Sequence, residues 1–110
     1  MQRMSLKTPF NTYAQYDENN NAIGRTDPNP FFPKEYMHYD MNGNMLGCSK
    51  PDFGGGFLHF DADKRYLGKS VKNPINGYVH YDADGSIAGT SAKDSHGNLI
   101  HVDVSIEIFL

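Results

Sequence analysis

Apolar and polar side chains alternate along short stretches of this chain at a period of two, the period of a strand with one buried face. Tyr36-Met37-His38-Tyr39-Asp40 alternates, Met41-Asn42-Gly43-Asn44 interrupts, and Met45-Leu46-Gly47-Cys48-Ser49 runs back. Tyr78 to Asp82, Ala83-Asp84-Gly85-Ser86 and Ile87 to Ser91 follow the same plan. Asn-Gly or Asp-Gly between extended segments signals a hairpin, because glycine takes positive φ without a Cβ clash. The corresponding turns hold Asp63-Lys64 and Asn20-Asn21. Lysine enters the left-handed region less readily than asparagine, so the Lys64 turn is expected to be looser. No segment carries apolar residues at i, i+3, i+4 and i+7, so almost no helix is expected.

The hairpins recur in one register. His38, His59, His80 and His101 are 21 residues apart, as are Gly47, Gly68 and Gly89, and Ser49, Ser70 and Ser91. Gly24 and Thr26 begin the same pattern and reach the next unit after 23 residues. A fixed period of this length marks an array of supersecondary units. The expectation is an all-β single domain over 1–110: about four 21-residue β-hairpin repeats in a solenoid-like or meander sheet of about nine strands. The units are 13–35, 36–56, 57–77 and 78–98, with a closing C-terminal strand over 99–110. Residues before Tyr13 are expected to be a partly disordered lead-in, and Pro28, Pro30, Phe31, Phe32 and Pro33 an irregular aromatic plug.

Side chains two apart share a strand face. One face collects Met37 and Tyr39, Leu58 and Phe60, Val79 and Tyr81, Ile100 and Val102, and is expected to be buried. The other collects Tyr36, His38 and Asp40, then Phe57, His59 and Asp61, then Tyr78, His80 and Asp82, then Leu99, His101 and Asp103. Convergent rows of imidazole and carboxylate suit a divalent metal or an anion. The structural alternative is favoured: each Asp caps its own turn and each His bonds a neighbouring hydroxyl or carbonyl, whereas a metal site gathers its ligands at one place. The candidate ligand-binding residues are Tyr36, His38, Phe57, His59, Tyr78, His80 and His101. No catalytic residue, metal site or cofactor is assigned.

Other motifs weaken on inspection. Asp82-Ala83-Asp84-Gly85 and Asp40-Met41-Asn42-Gly43 begin like calcium loops, but the twelfth position would be Lys93 or Pro51, neither of them an acid. The Gly-x-Ser triplets lack the helix that a nucleophile elbow needs. Cys48 stands where other units hold Lys69 and Thr90, and Gly54-Gly55-Gly56 lacks the lysine of a phosphate loop.

Composition narrows the partners. At 110 residues the chain makes one domain, and seven Phe and seven Tyr must carry much of its packing. Net charge is −3, so no basic surface for nucleic acid is expected. One cysteine permits no intrachain disulfide. No apolar run reaches transmembrane length and no signal peptide is evident, so no membrane partner is expected and the cytoplasm is the default compartment.

Asn76-Gly77-Tyr78-Val79-His80-Tyr81-Asp82-Ala83-Asp84-Gly85 through Gly89 resembles the choline- and glucan-binding (cell-wall-binding) β-hairpin repeats of Gram-positive surface proteins, over Tyr36 to Asp103. The chain has no Trp: Cys48, Lys69 and Thr90 stand where that family's ligand cage has one. The Tyr-Asp-x-x-Gly core also resembles YD repeats of bacterial toxin shells. The resemblance implies stacked hairpins in a bacterial wall-binding protein. Together these readings make a non-enzymatic repeat module for binding or assembly, with a carbohydrate, cell-wall polymer or protein as partner. The alternative is a small metal-binding protein or metal-dependent enzyme using the His/Asp rows. The apolar run Val104-Ser105-Ile106-Glu107-Ile108-Phe109-Leu110, together with open strand edges, suggests a homodimer.

Overall fold

In the computed structural model, residues 2–10, 12–32, 34–52, 54–73, 75–102 and 104 are described. They form ten strands: β1 (Gln2–Lys7), β2 (Tyr13–Tyr16), β3 (Ala22–Pro28), β4 (Tyr36–Asp40), β5 (Met45–Pro51), β6 (Phe57–Asp61), β7 (Tyr66–Asn73), β8 (Gly77–Asp82), β9 (Ile87–Lys93) and β10 (Leu99–Val102). Each strand pairs antiparallel with its sequence neighbours, and β1 pairs with β10, so the sheet closes into a barrel. The all-β expectation holds, and no helix occurs among the described residues. The solenoid does not form, because the sheet curls until its ends meet instead of stacking hairpins along an axis.

The lead-in expectation fails at the point of closure. Gln2 to Ser5 pair with Val102 to Leu99, and Met4 to Lys7 pair with Tyr16 to Tyr13. The first residues thus supply a strand paired on both edges. Closure also removes the free edges on which self-association was argued. Residues 105–110, on which the dimer expectation also rested, lie outside the described residues, as do most of the proposed closing strand's last positions. Val104 packs on Ala88, both of them buried, and Arg3 Nη2 donates to the Val104 carbonyl at 3.2 Å.

The buried face is the reverse of the one expected. His59, His80, His101, Thr26, Ser5, Ser49 and Ser70 are the largest fully buried side chains, whereas Met37, Tyr39, Leu58 and Phe60 face outward and are half-buried. Two physical facts make this possible. Four of the five inward imidazole and amide groups lie opposite a glycine on a paired strand (Gln15–Gly24, His38–Gly47, His59–Gly68, His80–Gly89), which leaves a narrow interior room for the ring, while His101 lies opposite Arg3 and Ser91. A Cβ on Gly24 would come within 2.2 Å of the Tyr39 carbonyl oxygen and one on Gly68 within 2.1 Å of that of Tyr81, so neither of these two positions has space for a side chain. Outside, cation stems shelter the aromatic rings: Arg25 lies 4.7 Å from the Tyr39 ring centre, Lys50 5.6 Å from Phe60 and Lys69 5.6 Å from Tyr81.

The four hairpin turns at one end use a common device. Asp40 Oδ1 accepts the amides of Asn42 and Asn44 at 2.9 Å, and Asp17, Asp61 and Asp82 act likewise in their own turns. These four join β2 to β3, β4 to β5, β6 to β7 and β8 to β9; at the fifth position of that end β1 begins beside the end of β10. The Lys64 turn is as tight as the rest: Lys64 takes φ 67°, with Lys64 N–H bonding the Asp61 carbonyl at 3.0 Å and Asp61 N–H bonding the Arg65 carbonyl at 2.9 Å. The aromatic plug is absent, since Phe31 and Phe32 are 82% and 58% exposed; Pro33 lies outside the described residues.

Candidate functional site

The barrel interior is built in layers, one residue per strand in each. The middle layer is a closed ring of ten hydrogen-bonded side chains. Ser5 Oγ donates to Gln15 Oε1 at 2.5 Å, and Gln15 Nε2 donates to Thr26 Oγ1 at 2.8 Å. Thr26 Oγ1 lies 2.8 Å from His38 Nδ1, and His38 Nε2 lies 2.7 Å from Ser49 Oγ. Ser49, His59, Ser70 and His80 continue at 2.6 Å per step, and His80 Nε2 meets Ser91 Oγ at 2.5 Å. Ser91 bonds His101 Nδ1, and His101 Nε2 closes the ring on Ser5 Oγ at 2.7 Å.

Proton counting sets the sense of the ring. Ser5 gives its only hydroxyl proton to Gln15, and Thr26 receives the amide N–H. Thr26 must then donate onward to His38 Nδ1, leaving the His38 proton on Nε2 for Ser49. The same logic runs through His59, His80 and His101, each a neutral Nε2–H tautomer, and returns a proton to Ser5. Every buried polar side-chain atom among the described residues has a partner, which is what makes a polar interior tolerable.

Burial holds the imidazoles neutral. His38, His59 and His101 are pushed down to about 3 and His80 to about 4, chiefly by loss of solvent. Repulsion from a neighbouring histidine adds to this for His38, His59 and His101, and Arg3 adds further for His101.

Above the ring, at the end where β9 leads into β10, lies an aromatic layer. Tyr13, Tyr36, Phe57 and Tyr78 form a row with ring centres 6.5, 5.8 and 6.1 Å apart, tilted or edge-to-face. With Leu99 and Lys93 they line an open cavity of about 110 Å³. Burial and the neighbouring phenols raise the Tyr13 and Tyr78 pKa, so both hydroxyls stay protonated donors.

The seven sequence-picked residues therefore separate into two groups. His38, His59, His80 and His101 are buried in the ring with both nitrogens engaged, and present nothing to a ligand. Tyr36, Phe57 and Tyr78 line the cavity. The neighbouring hydroxyl expected for each histidine is found, and so is the turn cap expected for each Asp of a hairpin. Among the described residues no group of three His, Cys, Asp or Glu is placed to hold a metal ion. Cys48 faces outward, half-buried, and burial raises its thiol pKa.

Sequence reasoning passed over Tyr13, Lys93, Ser5 and Gln15. The signal for Ser5 was present, since it precedes Thr26 by 21 residues. Gln15 leads Thr26 by 11, as His38 leads Ser49, but its change of residue type hid it.

No family model matches the chain, and no curated protein matches it. Among solved structures it is similar to a protein of Arabidopsis thaliana known from its X-ray structure, with 11% identity and a TM-score of 0.58 over 96% of this chain and 82% of that one. At that identity the likeness concerns the fold alone.

Proposed function

We propose that the protein is a non-enzymatic binding module whose ligand end is the aromatic mouth, and that its ligand is a sugar ring of a glycan or wall polymer. The observation that carries this reading is the row Tyr13, Tyr36, Phe57 and Tyr78 lining an open cavity above a saturated polar floor. Tilted aromatic walls offer π faces to C–H groups, and the phenols add hydrogen-bonding tips. The histidines support binding over catalysis, because a general base needs a free nitrogen near the reacting atom and all eight ring nitrogens of the network are engaged. Their saturation likewise weighs against the metal-dependent alternative.

The test is an amide-resolved NMR titration with neutral and acidic monosaccharides, beside a pull-down on insoluble polysaccharide and peptidoglycan. Shifts confined to residues 13, 36, 57, 78, 93 and 99, lost in Phe57→Ala, are expected. Shifts centred elsewhere on the barrel, or none with any saccharide, overturn the reading.

A further inference from the structure

We propose that the mouth selects an acidic sugar, a hexose ring bearing a carboxylate, over a neutral one. This rests on the mouth being the ligand end, as proposed above, and adds the charge of the ligand.

The strand register places the cations. Lys7 lies opposite Tyr13, Lys72 opposite Tyr78, and Lys93 opposite Leu99. Each stands two residues beyond an inward ring serine (Ser5, Ser70, Ser91), so all three share the inward parity of the barrel. Around the rim the aromatic layer therefore reads Tyr13, Lys7, Leu99, Lys93, Tyr78, Lys72, Phe57, Pro51, Tyr36, Pro28. One arc alternates lysine with the cavity walls, and the opposite arc alternates proline with them. Lys93 itself lines the cavity. No ion pair involves these three lysines among the described residues.

The charge is segregated along the barrel axis. The opposite end carries Asp17, Glu18, Asp40, Asp61, Asp63, Asp82 and Asp84 against Arg3, Lys64 and Arg65, whereas the mouth end carries Glu35, Asp52 and Asp94 against Lys7, Lys34, Lys72 and Lys93. An anion approaching the molecule is repelled there and drawn to the lysine arc, and low-dielectric walls strengthen that attraction.

The phenols decide between a sugar acid and a bare aromatic acid. The hydroxyls of Tyr13, Tyr36 and Tyr78 have no hydrogen-bond partner among the described residues, and all three side chains line the cavity. Unused phenol tips beside an ammonium suit a hydroxylated ring with one carboxylate. A hydrocarbon ring would leave them unpaired, at a cost.

The experiment titrates the full chain with glucuronate, glucose and benzoate, read by amide shifts at the mouth and repeated in Lys93→Met and Lys72→Met. Lys69→Met, on the outer wall over Tyr81, is the control. Glucuronate should bind about tenfold tighter than glucose or benzoate, a margin worth about 1.4 kcal/mol. Lys93→Met or Lys72→Met should erase most of it while Lys69→Met does not, and unchanged melting will show that the variants fold. Equal binding of glucuronate and glucose at the mouth overturns the charge inference and leaves the glycan reading standing. Tighter binding of benzoate than of glucuronate overturns the sugar acid. Absence of mouth shifts with every saccharide overturns both.

Discussion

Ser5 Oγ lies 2.7 Å from His101 Nε2, although 96 residues separate them in the chain. Within a hairpin the step from ring histidine to ring serine is 11 residues, as from His38 to Ser49, His59 to Ser70 and His80 to Ser91. For His101 the partner comes instead from β1. Ser5 takes that place from the other end of the chain. The side-chain ring and the β1–β10 ladder therefore close together, and either one without the other leaves buried groups unpaired.

Replacing Ser5 by Ala tests this coupling. The variant strands Gln15 Oε1 and the His101 Nε2–H inside the barrel, each at about 1–3 kcal/mol. Urea unfolding should show a loss of about 2–4 kcal/mol, and hydrogen exchange should accelerate in β1 and β10 before the other strands. A loss below about 0.5 kcal/mol would mean that the ring does not support closure.

Acid should unfold the protein cooperatively. The four ring histidines have folded pKa values of about 3 to 4, below the ordinary 6.5. The unfolded chain therefore binds more protons between those limits, and stability rises with pH across that window. It is fully present above about pH 6.5 and is lost as pH falls, at about 1.4 kcal/mol per pH unit for each histidine. A domain of ordinary stability, about 5–15 kcal/mol, should then unfold between roughly pH 5.5 and 4 with uptake of close to four protons. Circular dichroism across pH 7 to 3 with parallel proton-uptake measurements checks both numbers. A barrel intact at pH 3.5 would contradict the neutral ring.

Gln15 should set the tautomers. Long-range proton–nitrogen NMR is expected to find His38, His59, His80 and His101 all as Nε2–H. Gln15→Glu replaces a donor–acceptor with an ion that accepts on both sides, and one imidazolium, donating on both sides, then restores every bond. One ring histidine should consequently titrate above 6.5 in that variant, whereas Gln15→His should keep all of them neutral. Mixed tautomers in the parent protein would break the argument.

The turns give a backbone test free of packing effects. Gly43 and Gly85 have φ of 84° and 87°, and a Cβ at either would meet nothing within 4 Å. Valine at either position should cost at least about 1 kcal/mol, from backbone strain alone. Lys64 holds φ 67°, so Lys64→Gly should be neutral or stabilising. Unchanged melting of both valine variants would show that these turns relax freely.

The strands, the hairpin turns and the alignment of the histidines were legible in the sequence, because period-two alternation, Asp-Gly chemistry and a 21-residue spacing are local properties written along the chain. Even the His–hydroxyl partnership follows from spacing once hairpins pair in register. Which face turns inward was decided by closure. A flat or stacked array would hide Met37, Leu58 and Val79, but a closed barrel compresses its inner face, where a His opposite a Gly fits and hydrogen bonds around a circle leave no polar atom unpaired. Closure also gave meaning to residues without local signal. Ser5 is an ordinary serine in a charged segment until β10 lies beside it, and Lys7, Lys72 and Lys93 are scattered lysines until the register sets them around one mouth. Local periodicity reports what each strand prefers, whereas the sense of curvature is a property of all ten strands at once.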